Sequence, residues 1–326
     1  MWNGKSGKAR HSQELPSKEV VVIDANEMLR TERIRKIKAQ ANIFFPNINK
    51  RLKTSRVMCI KNLKMIIALF AIVLHSKAEE LVPPNEEKMP IPPEGKEWCM
   101  TFNDEFDGNS IDETHWEILG DEKRRGGWLL RENAKLNGQG HMDLLVTKTE
   151  KGYAGGGLCT AKKFKQKFGY FSCRAKLIQG SGKGYLNAFW LFAWSVHNVG
   201  NMGKDGTQIV VVGRNSKLSG HFQHALSWDG YEDSGMTEKK DIPAKNFEKQ
   251  FHTFSLYWSE AEYVFYVDCK EAWRTNSGGV SQVPEFIYLT TEIVDHKMMD
   301  MLKPKLPDAF CVDYVRVYEL KDKQKN

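Results

Sequence analysis

Six cysteines, nine tryptophans and a scatter of carboxylates are the residues of this 326-residue chain best equipped for chemistry. The cysteines (Cys59, Cys99, Cys159, Cys173, Cys269 and Cys311) include no C-x-x-C pair and no Cys/His cluster, which argues against a zinc centre. Cys159 and Cys173 flank Lys162-Lys163-Phe164-Lys165-Gln166-Lys167-Phe168. A hairpin centred on Gln166 would pair Phe164 with Phe168 and, in the same register, Cys159 with Cys173. Directly opposed strand residues have Cα atoms ~4.5–5.5 Å apart, within the range of a disulfide; the alternative is two buried thiols. Eight of the nine tryptophans lie after residue 95. Most are expected in the core. Any that border a cleft present an aromatic face suited to the C–H faces of a sugar ring. Trp190 and Trp194 stand at i and i+4, and Trp228 precedes the turn pair Asp229-Gly230.

The elements that must position these residues read as short strands. Period-two or β-rich runs cover Leu144–Thr149, Phe168–Ile178, Phe189–Trp194, Gln208–Val212, His252–Trp258, Tyr263–Asp268, Phe286–Thr291 and Val312–Tyr318. Turn residues punctuate them at 137–140, 155–157, 180–184, 229–230 and 277–279. No strong amphipathic helix and no helix–strand alternation is read, so the expected class is all-β, two stacked antiparallel sheets. An apolar content of 41% and an aromatic content of 11% exclude a disordered or collagen-like chain. The net charge of +7 is unevenly placed: residues 1–64 hold 15 Lys/Arg against 5 Asp/Glu, and the remainder is mildly acidic. A main body that binds nucleic acid would need its cations on the folded surface, so none is expected.

Ten apolar residues, Met65–Leu74, follow Lys61 and Lys64 and precede His75-Ser76-Lys77-Ala78. As a helix they rise only ~15 Å, too short to span a bilayer, and the pattern is that of a secretory signal. The expected organisation is a basic extension over 1–57, outside the working protein if translation begins at Met58, and a signal over 58–78. A Pro-rich linker follows over 79–95, then one domain over 96–320 and a polar tail over 321–326. Export with no membrane residence after cleavage follows from that reading.

The ordered segments Trp98–Gly108 through Trp116, Phe168–Leu177, Asn187–Leu191, Phe251–Trp258, Tyr263–Asp268, Gly279–Phe286 and Val312–Tyr318 together resemble glycoside hydrolase family 16, the laminarinase, lichenase and agarase group. The resemblance implies a β-jelly-roll sandwich of the concanavalin A-like type, with an open cleft and retaining hydrolysis of β-linked glucans or galactans. It implies no required cofactor. The family places its nucleophile and acid/base on one strand, as Glu-x-Asp-x-Glu or Glu-x-Asp-x-x-Glu. Side chains at i, i+2 and i+4 share a strand face, and the longer form needs a bulge.

Here that strand is Asp205–Asn215, with Gln208 at the nucleophile, Val210 at the middle acid, and Val212 or Gly213 at the acid/base. An amide is a poor nucleophile, and Val and Gly hold no proton to give. By resemblance Trp128, Trp190, Trp194, Trp228 and Tyr231 are sugar-binding positions, with His224 nearby. Asp313 would ligate a structural calcium, as in some relatives. Ser172 and Ser227 stand where the family often has Glu and His. The expected function is binding or processing of an extracellular β-linked polysaccharide with hydrolysis lost or very low. Glu232 and Asp233 lie on a later loop, outside that strand. The alternatives are an active retaining endo-hydrolase that recruits a carboxylate not placed by the sequence, and a structural or interaction protein without sugar affinity.

Overall fold

A computed structural model describes residues 89–179, 183–214, 220–230, 235–244 and 246–323. The basic extension, the signal segment, residues 79–88 of the linker, Tyr231, Glu232, Asp233 and residues 324–326 lie outside the described residues. Residues 84–326 form one compact unit. Among the described residues, no helix is long and apolar enough to cross a membrane.

Eighteen strands follow in chain order among the described residues. They are β1 (Lys96–Asp104), β2 (Glu117–Leu119), β3 (Glu122–Arg124), β4 (Gly127–Leu129), β5 (Ala134–Leu136), β6 (Met142–Thr149), β7 (Gly152–Gly155), β8 (Gly157–Cys159) and β9 (Gly169–Lys176). Then come β10 (Tyr185–Phe192), β11 (Gln208–Arg214), β12 (His221–Trp228), β13 (Met236–Pro243), β14 (His252–Trp258), β15 (Tyr263–Val267), β16 (Lys270–Thr275), β17 (Phe286–Ile293) and β18 (Asp308–Asp322). The first sheet runs β16-β15-β14-β9-β18-β6-β7-β4-β3, with β1 also on β18 and β5 also on β6. The second runs β13-β12-β11-β10-β17-β8-β2. Pairing is antiparallel except between β4 and β7.

The two sheets stack because each has one apolar face. Phe171 of β9, Phe254, Leu256 and Trp258 of β14, and Phe265 of β15 share one core with Phe189 and Leu191 of β10, Ile209 of β11, and Phe222 and Leu226 of β12. Burying each such side chain stabilises the fold by about 2 kcal/mol. A second, smaller cluster holds Ala188, Trp190, Phe192 and Phe286, with Val210 and Tyr288 against it. Alternation along β10 therefore gives the second sheet an apolar inner face and a partly aromatic outer face.

The disulfide expectation is corrected. Cys159 lies on β8 of the second sheet, opposite Tyr288 and Glu117, whereas Cys173 lies on β9 of the first, opposite Phe254 and Val315. The segment between them crosses from one sheet to the other instead of closing a hairpin. Thr160 starts the crossing by accepting from Lys163 and Phe164 backbone N–H groups, and Gln166 bridges to Glu285. Both cysteines are buried and neither is in a disulfide. Burial pushes the Cys159 thiol up to about 11, so it is not an activated nucleophile.

A short helix, α1 (His296–Leu302), also departs from the all-strand reading. Asp295 caps it by accepting from the Met298 amide at 3.0 Å, and Lys303 ends it in the left-handed conformation. Met299 fixes it to the domain by packing where Gly184 has no side chain.

Candidate functional site

The outer face of the second sheet carries a cavity of about 200 Å³. Its floor is set by strand register. One row across the sheet is Ala225, Val210, Trp190, Tyr288, Cys159 and Glu117; the next is Gln223, Gly213, Ala188, Thr290, Gly157 and Leu119. Gln208 sits one step further along β11, opposite Ser227.

A bulge decides which residues of β11 face this floor. Val210 pairs with Ala225 and Gly213 pairs with Gln223, so Val211 and Val212 stand against the single residue His224. Both valines are fully buried in the core. Gln208, Val210 and Gly213 consequently line one cavity, and Val212 does not. Of the two spacings read from sequence, the strand adopts the longer. A Cβ built on Gly213 would stand 2.8 Å from Val210 Cγ1, so the missing side chain at 213 and the branched one at 210 fit each other.

Among the described residues, Glu292 is the one carboxylate that lines the cavity. It is nearly buried and held between two guanidiniums, with Arg124 Nε at 3.2 Å and Arg125 Nε at 2.8 Å. Asp241 sits on the neighbouring edge strand, where it accepts from Gln223 Nε2 at 2.6 Å. Asp205 is occupied by Asn198 and Asn201, each donating to Oδ2. Glu285 lies on the other side of the sheet, fully buried, and accepts the Thr207 amide at 3.0 Å. Burial pushes its pKa up to about 8, against the lowering effect of hydrogen bonds from Ser281 and Thr207. It is a neutral acid that anchors the residue just before Gln208.

The aromatic positions divide. Trp190 lines the cavity: its ring stacks on Tyr288 at 4.2 Å and 18°, and its Nε1 donates to Thr290 Oγ1 at 3.1 Å. Trp194 follows the end of β10 in a 3-10 turn, so the i, i+4 strand reading does not apply to it. Its indole is 60% exposed and rests on Phe192 and Phe286, with ring centroids 5.3 and 5.6 Å away. Trp128 is on β4 of the first sheet, outside the lining, with the Lys151 ammonium 5.4 Å from its ring.

Trp228 and His224 are corrections. β12 alternates, and Gln223 and Ala225 take its cavity face. Phe222, His224, Leu226 and Trp228 point inward and are buried. Trp228 is covered by Gly278, where a Cβ would come within 2.3 Å of the indole. His224 lies against Phe222 and Phe265, and its Nδ1 donates to the Val211 carbonyl at 2.5 Å. Burial lowers its pKa to about 4, so the ring is neutral. Ser172 is buried in the first sheet, 3.2 Å from Ser255, far from any role on the second sheet.

Asp313 does not sit in a calcium cradle. Arg174 Nη1 binds its Oδ2, and His141 Nε2 lies 3.5 Å from its Oδ1. Calcium takes 6–8 oxygen ligands, and a carboxylate already bound by a guanidinium, with an imidazole nitrogen beside its other oxygen, does not fit it. Among the described residues, no group of three or more His, Cys, Asp or Glu is placed to hold a metal ion.

Sequence reading missed Arg125, Gln223, Tyr288, Thr290 and Glu292. The last three were detectable, because Phe286, Tyr288, Thr290 and Glu292 are the alternate positions of a strand whose other face is apolar.

Residues 127–286 match the sequence profile of the glycosyl hydrolases family 16. The folded domain belongs to this family. Among family relatives, β-porphyranase B of Zobellia galactanivorans is 23% identical over 257 residues, covering 70% of this chain and 84% of that protein. The crystal structure of the porphyranase B superposes with a TM-score of 0.60 at 19% identity, covering 73% of this chain and 98% of that one. An endo-1,3-β-glucanase (laminarinase) catalytic domain from Thermotoga petrophila superposes with a TM-score of 0.56 at 22% identity, covering 70% and 100%. The fold is thus the family 16 jelly roll.

Proposed function

We propose that the protein is a secreted family 16 relative that binds an extracellular β-linked polysaccharide, a glucan or galactan, and hydrolyses it very weakly or not at all. The carrying observation is the floor of the cavity. Gln208, Val210 and Gly213 line it together, and none bears a carboxyl group. Retaining hydrolysis needs a nucleophilic carboxylate and a carboxylic acid ~5–5.5 Å apart. Glu292 alone is not such a pair, and it is engaged by two arginines. Sugar affinity needs neither acid. Trp190 with Tyr288, and the exposed face of Trp194, supply apolar platforms, while Gln208, Gln223 and Thr290 supply polar contacts. The names of the relatives, porphyranase and laminarinase, support a β-linked polysaccharide as the ligand. The signal-like segment 58–78 supports export.

Affinity electrophoresis through laminarin, lichenan, agarose and carrageenan, paired with reducing-sugar assays on the same polymers, tests the reading. Retardation in at least one gel without sugar release is expected. Turnover comparable to an active relative refutes the silenced site, and no retardation in any gel refutes the binding role. The triple variant Gln208→Glu/Val210→Asp/Gly213→Glu should gain hydrolysis on the polymer that retards the wild type.

A further inference from the structure

We propose that the guanidinium of Arg174 serves as a built-in cation at Asp313, so that the domain is stabilised there without a metal. Asp313 lies on β18. Val312 pairs with Ala175 and Tyr314 with Arg174, which leaves Asp313 as the extra residue of a bulge. A bulge re-aims the side chain it carries, and here the carboxylate meets the Arg174 side chain of the adjacent strand. Its second oxygen faces His141.

Phe251 backs both partners. The Arg174 guanidinium stands 5.0 Å from its ring centroid, and the His141 ring stacks on it at 4.8 Å and 27°. The Lys176 ammonium lies 5.4 Å from the same ring. One carboxylate oxygen is thus bound by a guanidinium and the other faces an imidazole nitrogen, while two cationic side chains, Arg174 and Lys176, stand near the same aromatic ring. A divalent ion entering here would displace a charge-assisted bond and lie beside two like charges. A fixed guanidinium also cannot be removed by a chelator or by a ligand that sequesters divalent ions. The proposal concerns the first sheet and stands apart from the sugar-binding reading, which rests on the second.

Thermal unfolding of the wild-type domain in EDTA and in millimolar CaCl2 is the primary test, with tryptophan-sensitised terbium luminescence as a direct probe of ion binding. The midpoint is expected to be the same in both buffers, with no saturable terbium signal. A rise in midpoint with CaCl2, or a saturable terbium signal that calcium displaces, overturns the proposal. A double-mutant cycle on Arg174→Met and Asp313→Asn supplies the second measurement. The pair is expected to couple by about fivefold in the unfolding equilibrium constant, with both side chains less than one third exposed. Strictly additive effects would also overturn it.

Discussion

Glu285→Gln isolates the energetic weight of one buried acid. The wild-type carboxyl is fully buried, and burial raises its pKa from 4.5 to about 8. Folding therefore takes up a proton at any pH between those two values. Below about 4.5 the group is neutral in both states and the fold keeps its full stability. As pH rises from there towards about 8, stability falls by about 1.4 kcal/mol per unit. At pH 7 the accumulated loss from this one group is about 3 kcal/mol, a large part of a typical domain's stability. Glutamine keeps the oxygen that accepts the Thr207 amide and carries no ionisable proton. The variant should match the wild type at pH 4 and exceed it by about 3 kcal/mol at pH 7, with the difference levelling off above about 8. Urea unfolding monitored by tryptophan fluorescence, repeated at half-unit steps from pH 4 to 9, gives the difference curve. A curve that is flat across that range, or that falls with pH, refutes the account of Glu285 as a neutral acid.

His224 behaves in the opposite sense. Its pKa is lowered to about 4 in the fold from 6.5, so its contribution is present above about 6.5 and lost as pH falls to about 4, up to about 3 kcal/mol. His224→Phe should flatten that acid arm in the same denaturation series. Gly278→Ala should destabilise by about 2 kcal/mol or more, since the residue has a φ of +74° and a Cβ there meets the Trp228 ring; a thermal midpoint equal to wild type would contradict the packing. Trp194→Ala should weaken polysaccharide retardation by about fivefold or more while leaving the thermal midpoint unchanged, because the ring is exposed.

Strands with a strong apolar period were legible. His252–Trp258 was read with the bounds that β14 has, and Tyr263–Asp268 differs from β15 by one residue. The polar edge strands were not. β13, Met-Thr-Glu-Lys-Lys-Asp-Ile-Pro, and β16, Lys-Glu-Ala-Trp-Arg-Thr, bury too little to print a pattern, and only their neighbours make them strands. Strand parity plus a bulge brings Gln208, Val210 and Gly213 to one cavity, the arrangement expected of the longer spacing. Parity along β12 instead buries His224 and Trp228, so neither a polar ring nor a turn-flanking indole marks a cleft group by itself. The even-numbered series Phe222, His224, Leu226, Trp228 already marked the inward face of β12. The Cys159–Cys173 pairing failed for a different reason: local symmetry about Gln166 says nothing about a segment that changes sheets.

The fit between Gly213 and Val210 limits which side chains this cavity floor can carry. A branched side chain with one preferred rotamer now fills the space that a Cβ at 213 would take. A side chain placed at 213 alone, an acid included, would meet a Val210 methyl group, so position 210 has to yield first. The two positions are therefore coupled, and the valine acts as a latch: the glycine can gain a side chain only after its neighbour has changed shape.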